Sequence, residues 1–478
     1  MSVAPKIWLE EARLYERDVR LRLPFRFGVV TLDTAPQVFL RVRIRTDDGR
    51  EGWGTTAELM VPKWFDKDPS LSNEDNFEQL RRSIRRAVEA YRAAGPATAF
   101  GLAAATCRDL AGVDDMPPLA AAFGGAEVDK AVLDALCRIE GASFADAIRV
   151  NLPGLDASLT PDLQGFDIAG FLGRRDMQNS IAARHTVGML DPLATAEMPQ
   201  GARLHDGLPQ SLEEVISAYG QTYFKLKIGG NLSADLDRLI RIAEVLDPVD
   251  YRATLDGNEQ YADADGIVEL WRAILAEPRL RKLASRVLFI EQPVTRATAL
   301  SRDISALATL KPVIIDESDA TLDAFRWARD LGYAGVSSKA CKGLYKSLLN
   351  AARCSAWRAA DPAAGFFLSG EDLTCQAGLA VQQDLALVSL LGIGHVERNG
   401  HHYVLGMAGA PPDEQAAFRD AHPDLYRDVY GSTCLTIAAG RIALGSIDRP
   451  GFASSALPDF AAMRPVSLTA TRTSLPGE

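Results

Sequence analysis

Tyr223-Phe224-Lys225-Leu226-Lys227-Ile228 places two lysines on one side of a short apolar run and Phe, Leu and Ile on the other, the alternation of a β-strand. Four more apolar runs follow, each carrying charge at its end: Tyr251 to Asp256, Val287 to Glu291, Val313 to Glu317 with Asp316 within it, and Gly335 to Lys339. Steps of 29, 35, 25 and 23 residues separate Lys227, Asp256, Glu291, Asp316 and Lys339, about the length of a strand and a returning helix. That rhythm predicts an α/β fold with a parallel (β/α) barrel, whose functional groups converge from the C-terminal ends of several strands.

Outward from this core, Arg184 to Met189 reads as the first barrel strand, and Gly365 to Ser369 and His395 to Glu397 as the seventh and eighth. Ser211-Leu-Glu-Glu214 is a capping box opening a helix that Gly220 ends. Further helices are expected over 264–277, 297–310, 322–331, 344–359 and 374–391. In the N-terminal part, Val38, Leu40, Val42 and Ile44 alternate with polar residues before a turn at Thr46-Asp-Asp-Gly49 and Gly52-Trp-Gly54, a hairpin pattern. Phe77, Leu80, Ile84, Val88 and Tyr91, then Val128, Val132, Leu136 and Ile139 closed by Gly141, follow helical spacing. Near the end, Cys434–Ile437 and Arg441–Leu444 are expected to pair about Ala439-Gly440. The organisation expected is an α+β capping unit over 1–180, a barrel over 181–410 and a segment over 411–478 returning to the cap. The stretches 94–118 and 152–175 read as insertions or lids.

The chain has 478 residues, 47% hydrophobic and 24% charged, enough to bury a sizeable core. A net charge of −11 argues against nucleic acid or an anionic membrane as partner. The first residues carry no apolar leader and no run approaches a membrane span, so a cytoplasmic protein is expected. The six cysteines form no Cys-x-x-Cys pair, which disfavours a zinc cluster or a disulfide framework.

In a closed barrel Lys225 and Lys227 face the mouth, where burying two ammonium groups requires anions. Asp256, Glu291 and Asp316 supply them, and two Asp with one Glu are also the hard-oxygen set that Mg²⁺ takes. A divalent ion between lysines of the second and sixth strands suits removal of a proton α to a carboxylate, because metal and ammonium stabilise the enediolate as its charge develops.

Lys225-Leu-Lys227, Leu255-Asp-Gly-Asn258, Ile290-Glu-Gln-Pro293, Ile315-Asp-Glu-Ser318 and Ser338-Lys-Ala-Cys-Lys342 resemble the enolase superfamily, in the subgroup of muconate lactonising enzyme and the dipeptide epimerases. Leu23-Pro-Phe-Arg-Phe-Gly28 and Arg449-Pro-Gly-Phe452 resemble its capping domain and C-terminal return. The resemblance implies an enolase-type barrel, with room for modified strand and helix units, and one Mg²⁺ per chain on Asp256, Glu291 and Asp316, with Mn²⁺ as a substitute. It implies Lys227 and Lys339 as the acid/base pair and Lys225 as the group that neutralises the substrate carboxylate or enediolate. Pleat parity sends Asp316 and Glu317 to opposite sides, and Asp316 is preferred as the third ligand with Glu317 as the alternative. Arg26, Asn258, Lys342, Glu371, Asp372, His395 and Glu397 are candidates for substrate contact.

The family assigns specificity to cap loops near Phe25–Thr34 and Met60–Asp66, both unfamiliar in this chain. Racemisation or epimerisation of an acylated amino acid or dipeptide-like acid is the reading preferred. Syn elimination, as in dehydratases or o-succinylbenzoate synthase, and cycloisomerisation stay open, as does a non-catalytic metal-stabilised binding protein. The partner expected is a small carboxylate, and a homo-oligomer is expected. His185, His395, Glu397, His401 and His402 read as interior or pocket residues in preference to a second metal site.

Overall fold

In a computed structural model, residues 4–27, 30–111 and 116–469 are described. Gly28 of the Leu23–Gly28 stretch and residues 112–115 of the expected insertion lie outside them.

The N-terminal part is an antiparallel sheet of β1 (Ile7–Phe27), β2 (Val30–Thr46) and β3 (Glu51–Leu59). β1 carries no clean alternation in the sequence and is not anticipated there. Its register against β2 breaks between Arg20 and Phe25, around Pro24, which has no N–H to give the ladder. Helices α1 (Asn73–Ala93), α2 (Ala99–Ala111) and α3 (Pro118–Glu140) cover the sheet. α1 opens with a Ser72–Asp75 capping box, and α3 ends at Gly141 in the left-handed conformation. α3 lies so close over β3 that a Cβ on Gly54 would stand 2.1 Å from the Ala131 carbonyl oxygen.

Eight parallel strands close into the barrel: β4 (Ser180–Val187), β5 (Tyr223–Lys227), β6 (Arg252–Asp256), β7 (Val287–Glu291), β8 (Val313–Ile315), β9 (Gly335–Ser338), β10 (Phe367–Gly370) and β11 (His395–Arg398). β11 pairs with β4 through His395–Ala182 to Arg398–His185, leaving no free edge there. Arg184, Thr186, Lys225 and Lys227 point inward; Phe224 and Leu226 pack outward in the core shared with the surrounding helices. Among the described residues no helix is long and apolar enough to cross a membrane, and the six cysteines are unpaired.

Several expectations are corrected. Cys434–Ile437 and Arg441–Leu444 do not form a ladder: β13 (Ser432–Leu435) pairs with β12 (Tyr426–Val429), and β14 (Arg441–Ala443) adds antiparallel to β4. The turn at Ala439-Gly440 survives, with both residues at positive φ, but only the Ala438–Arg441 bridge spans it. β15 (Arg464–Val466) pairs antiparallel with the outer edge of β1. The helix expected over 297–310 is two short turns, Arg296–Ala299 and Ser305–Ala308, and that over 374–391 begins at Leu379. Beyond β11, Asn399 precedes the short helix Gly400–Tyr403. The stretch 94–118 holds α2, packed on α1 and α3, and 152–175 holds the short helix Ile168–Leu172 and a turn whose Asp162 pairs with buried Arg353 (2.8 Å).

Candidate active site

Lys225 occupies the centre of the barrel mouth. Its Nζ donates to Glu291 Oε1 (2.9 Å), Glu371 Oε2 (2.8 Å) and Glu397 Oε2 (3.0 Å), and lies 2.9 Å from Asp256 Oδ2. Burial alone would drive the proton off, but Asp256, Glu291, Glu371 and Glu397 outweigh it and hold the ammonium charged well above its ordinary range. Glu371 is held from behind by Arg184, its ion-pair partner, and by Ser369 Oγ (2.6 Å).

Lys227, two residues along the same strand, donates to Asp256 Oδ2 (2.6 Å) and Asn258 Oδ1 (2.5 Å). From the other side of the barrel, Lys339 donates to Asp316 Oδ2 (2.7 Å). Burial works against the Lys339 charge and Asp316 restores it, leaving its pKa above the usual lysine range.

Lys225, Lys227, Lys339, Asp256, Asn258, Asp316, Asp372 and Glu397 share a cavity of about 30 Å³. Phe25, Val61 and Trp64 of the cap roof it, with Leu373, Thr374 and Asn399 at its side. The indole of Trp64 lies over Lys339, Nζ 4.3 Å from the ring centroid. Asn399 is buried, and its Oδ1 has no hydrogen-bond partner, leaving an acceptor in the cavity wall. The two cap loops singled out from the sequence thus supply the roof. Trp64, Leu373, Thr374 and Asn399 were not anticipated individually, because an apolar or amide side chain carries no motif until the loop is placed.

Other candidates take different positions. Lys342 lies behind Asp316, donating to Asp316 Oδ1 (3.2 Å) and Ser337 Oγ (2.6 Å), and orients that carboxylate without lining the cavity. Glu371 reaches Lys225 but is not on the cavity wall. Asp372 lines the cavity, but its carboxylate accepts from Arg398 (3.0 Å) and from the backbone of Asn399 (2.9 Å). His395 sits at the start of its strand, against Arg184 (2.7 Å) and stacked on Tyr223, away from the mouth. Arg26 is exposed on β1 and is not on the cavity wall. Glu317 turns away from Asp316 and accepts from Asn258 Nδ2 (3.1 Å); burial first, then Asp316, push its carboxyl up to about 7. His185, between inward-facing Arg184 and Thr186, points out through the wall and meets His401 (3.4 Å) and His402 behind β4.

As hard-oxygen donors on three neighbouring strands, Asp256, Glu291 and Asp316 suit Mg²⁺, and buried Glu291 Oε2 lacks a hydrogen-bond partner. They do not converge on one point: among the described residues no three His, Cys, Asp or Glu side chains stand close enough to hold an ion. Lys225 lies between Asp256 and Glu291, while Lys339 and Lys342 hold Asp316. The donor chemistry fits the ion, and seating it requires these lysines to give way.

Residues 208–396 match the family described as "Enolase C-terminal domain-like". No curated protein matches the chain. Among solved structures, it is similar to a dipeptide epimerase from Enterococcus faecalis V583, with a TM-score of 0.60 at 14% identity, covering 94% of this chain and 99% of that one. Muconate lactonizing enzyme from Pseudomonas fluorescens gives 0.58 at 17% identity over 96% and 98% of the two chains. An enolase from Bradyrhizobium gives 0.60 at 15% identity over 97% and 98%. The family match lies on the closed barrel that carries the lysines and carboxylates, and over that part the chain is similar to the enolase C-terminal domain, while the solved structures share its fold.

Proposed function

We propose that this protein is a Mg²⁺-dependent isomerase or lyase that removes the proton α to a carboxylate, with racemisation or epimerisation as its reaction. The observation that carries this reading is the arrival of Lys227 and Lys339, from strands on different sides of the barrel, at one small cavity together with Asp256 and Asp316. Asp256, Glu291 and Asp316 would hold the ion, which supplies charge stabilisation to a substrate carboxylate. Lys225 adds a fixed positive charge beside it. Lys227 and Lys339 hold and move the α-proton, one removing it and the other returning it. Asn258 orients Lys227, and Lys342 orients Asp316.

The solved relatives hold acids of different size: the E. faecalis epimerase has Mg and L-Leu-L-Tyr, the Bradyrhizobium enolase magnesium and mandelic acid. A cavity of about 30 Å³ accommodates neither without movement of its roof. Elimination or cycloisomerisation would use the same residues with only one lysine moving a proton.

The test is deuterium incorporation from D₂O with Mg²⁺, followed by proton NMR across acyl amino acids, dipeptides and hydroxy acids, with Lys227→Ala and Lys339→Ala alongside. Loss of an α-proton signal in the wild type, abolished in one or both variants, supports the reading. Exchange that survives in both variants overturns it.

A further inference from the structure

The cap loop carrying Trp64 is tied to the barrel by ions. Arg296, just beyond β7, donates from Nη2 to the Trp64 carbonyl oxygen (2.8 Å) and from Nη1 to that of Phe65 (3.2 Å). The same guanidinium makes a forked pair with Glu259, Nε to Oε1 and Nη2 to Oε2, both 2.9 Å. Glu259 also pairs with Lys67 of the cap loop, whose Nζ reaches the Asn258 carbonyl oxygen (3.3 Å). Glu259 is buried, and its backbone has φ +67, with Asn258 before it at +40. Two successive non-glycine residues in the left-handed region cost energy, and here that conformation accompanies a carboxylate turned toward the loop.

The loop itself is preassembled. Lys63, also left-handed at φ +61, donates from Nζ to the carbonyl oxygens of Asp68 (2.7 Å) and Leu71 (2.5 Å), and from its backbone to Asn76 Oδ1 (3.1 Å). Phe65 packs edge-on against Phe123 of α3, fixing the loop to the cap. Lys63 and Phe65 tie the loop to the cap, while Arg296 and Glu259 hold it from the barrel.

We propose that Arg296 and Glu259 form a latch that positions Trp64 over Lys339, and that a carboxylate substrate enters only when this latch parts. The inference rests on the proposed function for what enters, but the latch itself does not. Arg296 is a positioning residue: it acts on the site through the backbone of Trp64 and determines how much room lies beside Lys339.

The test is hydrogen–deuterium exchange of the full-length protein, comparing wild type with Arg296→Ala and Glu259→Gln. Each variant is expected to exchange at least about ten-fold faster over 61–68, with 223–227 and 335–339 unchanged, as local opening requires. Acrylamide quenching of Trp64 fluorescence, isolated by subtracting a Trp64→Phe background, should rise in step. If either variant fails to fold, the other carries the test. Exchange over 61–68 within two-fold of wild type overturns the latch, and so does loosening that spreads equally through the barrel strands. Neither readout needs turnover, so a protein that incorporates no deuterium into any acid but shows the local opening loses the proposed function and keeps the latch. With a substrate that is turned over, Arg296→Ala should move KM and leave detectable kcat, whereas Lys339→Ala should abolish kcat.

Discussion

Lys225 Nζ and Glu291 Oε2 stand 2.8 Å apart, yet that oxygen is buried without a hydrogen bond of acceptable geometry. Burial first, then Asp256, Glu371 and Asp316, push the Glu291 carboxyl well above its ordinary range, and Lys225 only partly counters them. A second cation at this point relieves repulsion that one ammonium leaves standing. MgCl₂ is therefore expected to raise the melting temperature, with stabilisation of about 2.7 kcal/mol at a hundred-fold excess over Kd. Glu291→Gln should remove most of that shift. A full shift in this variant, measured by differential scanning fluorimetry against an EDTA baseline, would exclude Glu291 as a ligand.

Asp129 governs a different pH dependence, within the cap. It is buried, accepts from Tyr91 Oη (2.6 Å), and burial pushes its carboxyl up to about 8. The folded chain thus binds this proton more tightly than the unfolded chain, where a carboxyl titrates near 4. Its contribution is complete below about pH 4 and is lost as pH rises through 8. Asp129→Asn keeps an acceptor for Tyr91 and removes the ionisation. Urea unfolding should show the variant gaining on wild type from pH 5 to pH 9, by an amount on the order of a few kcal/mol. Parallel pH profiles for the two proteins would refute the assignment.

The barrel was legible because its parallel strands end in charge at regular steps, and the lysines and carboxylates so marked do line or adjoin one cavity. What escaped the sequence depends on long-range pairing. β1 is a 21-residue strand interrupted at a proline, and β14 finds its partner in β4, far back in the chain. Arg296 and Glu259 look like ordinary surface charges until Lys67 and the Trp64 backbone are brought to them. Gly52-Trp-Gly54 was read for its hairpin, whereas the second glycine answers to α3.

That contact gives a direct test of packing. An added methyl on Gly54 meets the Ala131 oxygen at 2.1 Å and the Ala135 nitrogen at 2.2 Å, both backbone atoms of α3. Gly54→Ala has to push the helix off β3, and overpacking of this kind costs about 1–3 kcal/mol or more. Gly394→Ala, where the methyl meets nothing within 4 Å, is the control, and it should change stability by no more than about 0.5 kcal/mol. Equal melting temperatures for the two variants would mean that α3 does not sit this close to β3.

On the acid side, the histidines behind β4 set the limit. Burial pushes His185 down to about 3, and burial followed by the neighbouring His185 holds His401 and His402 well below the ordinary imidazole range. Neither ring nitrogen of His402 has a partner, and its carbonyl oxygen accepts from Arg22 (2.7 Å), a cation that adds to the penalty for a second charge. The folded chain keeps these rings neutral while the unfolded chain protonates them near pH 6.5. Stability is then complete above about 6.5 and falls as pH drops toward the folded values. Each ring contributes a slope of up to about 1.4 kcal/mol per pH unit. His402→Leu should reduce the slope of unfolding free energy between pH 6 and pH 4 by about one such increment, and an unchanged slope would show that His402 takes up its proton without disturbing the fold.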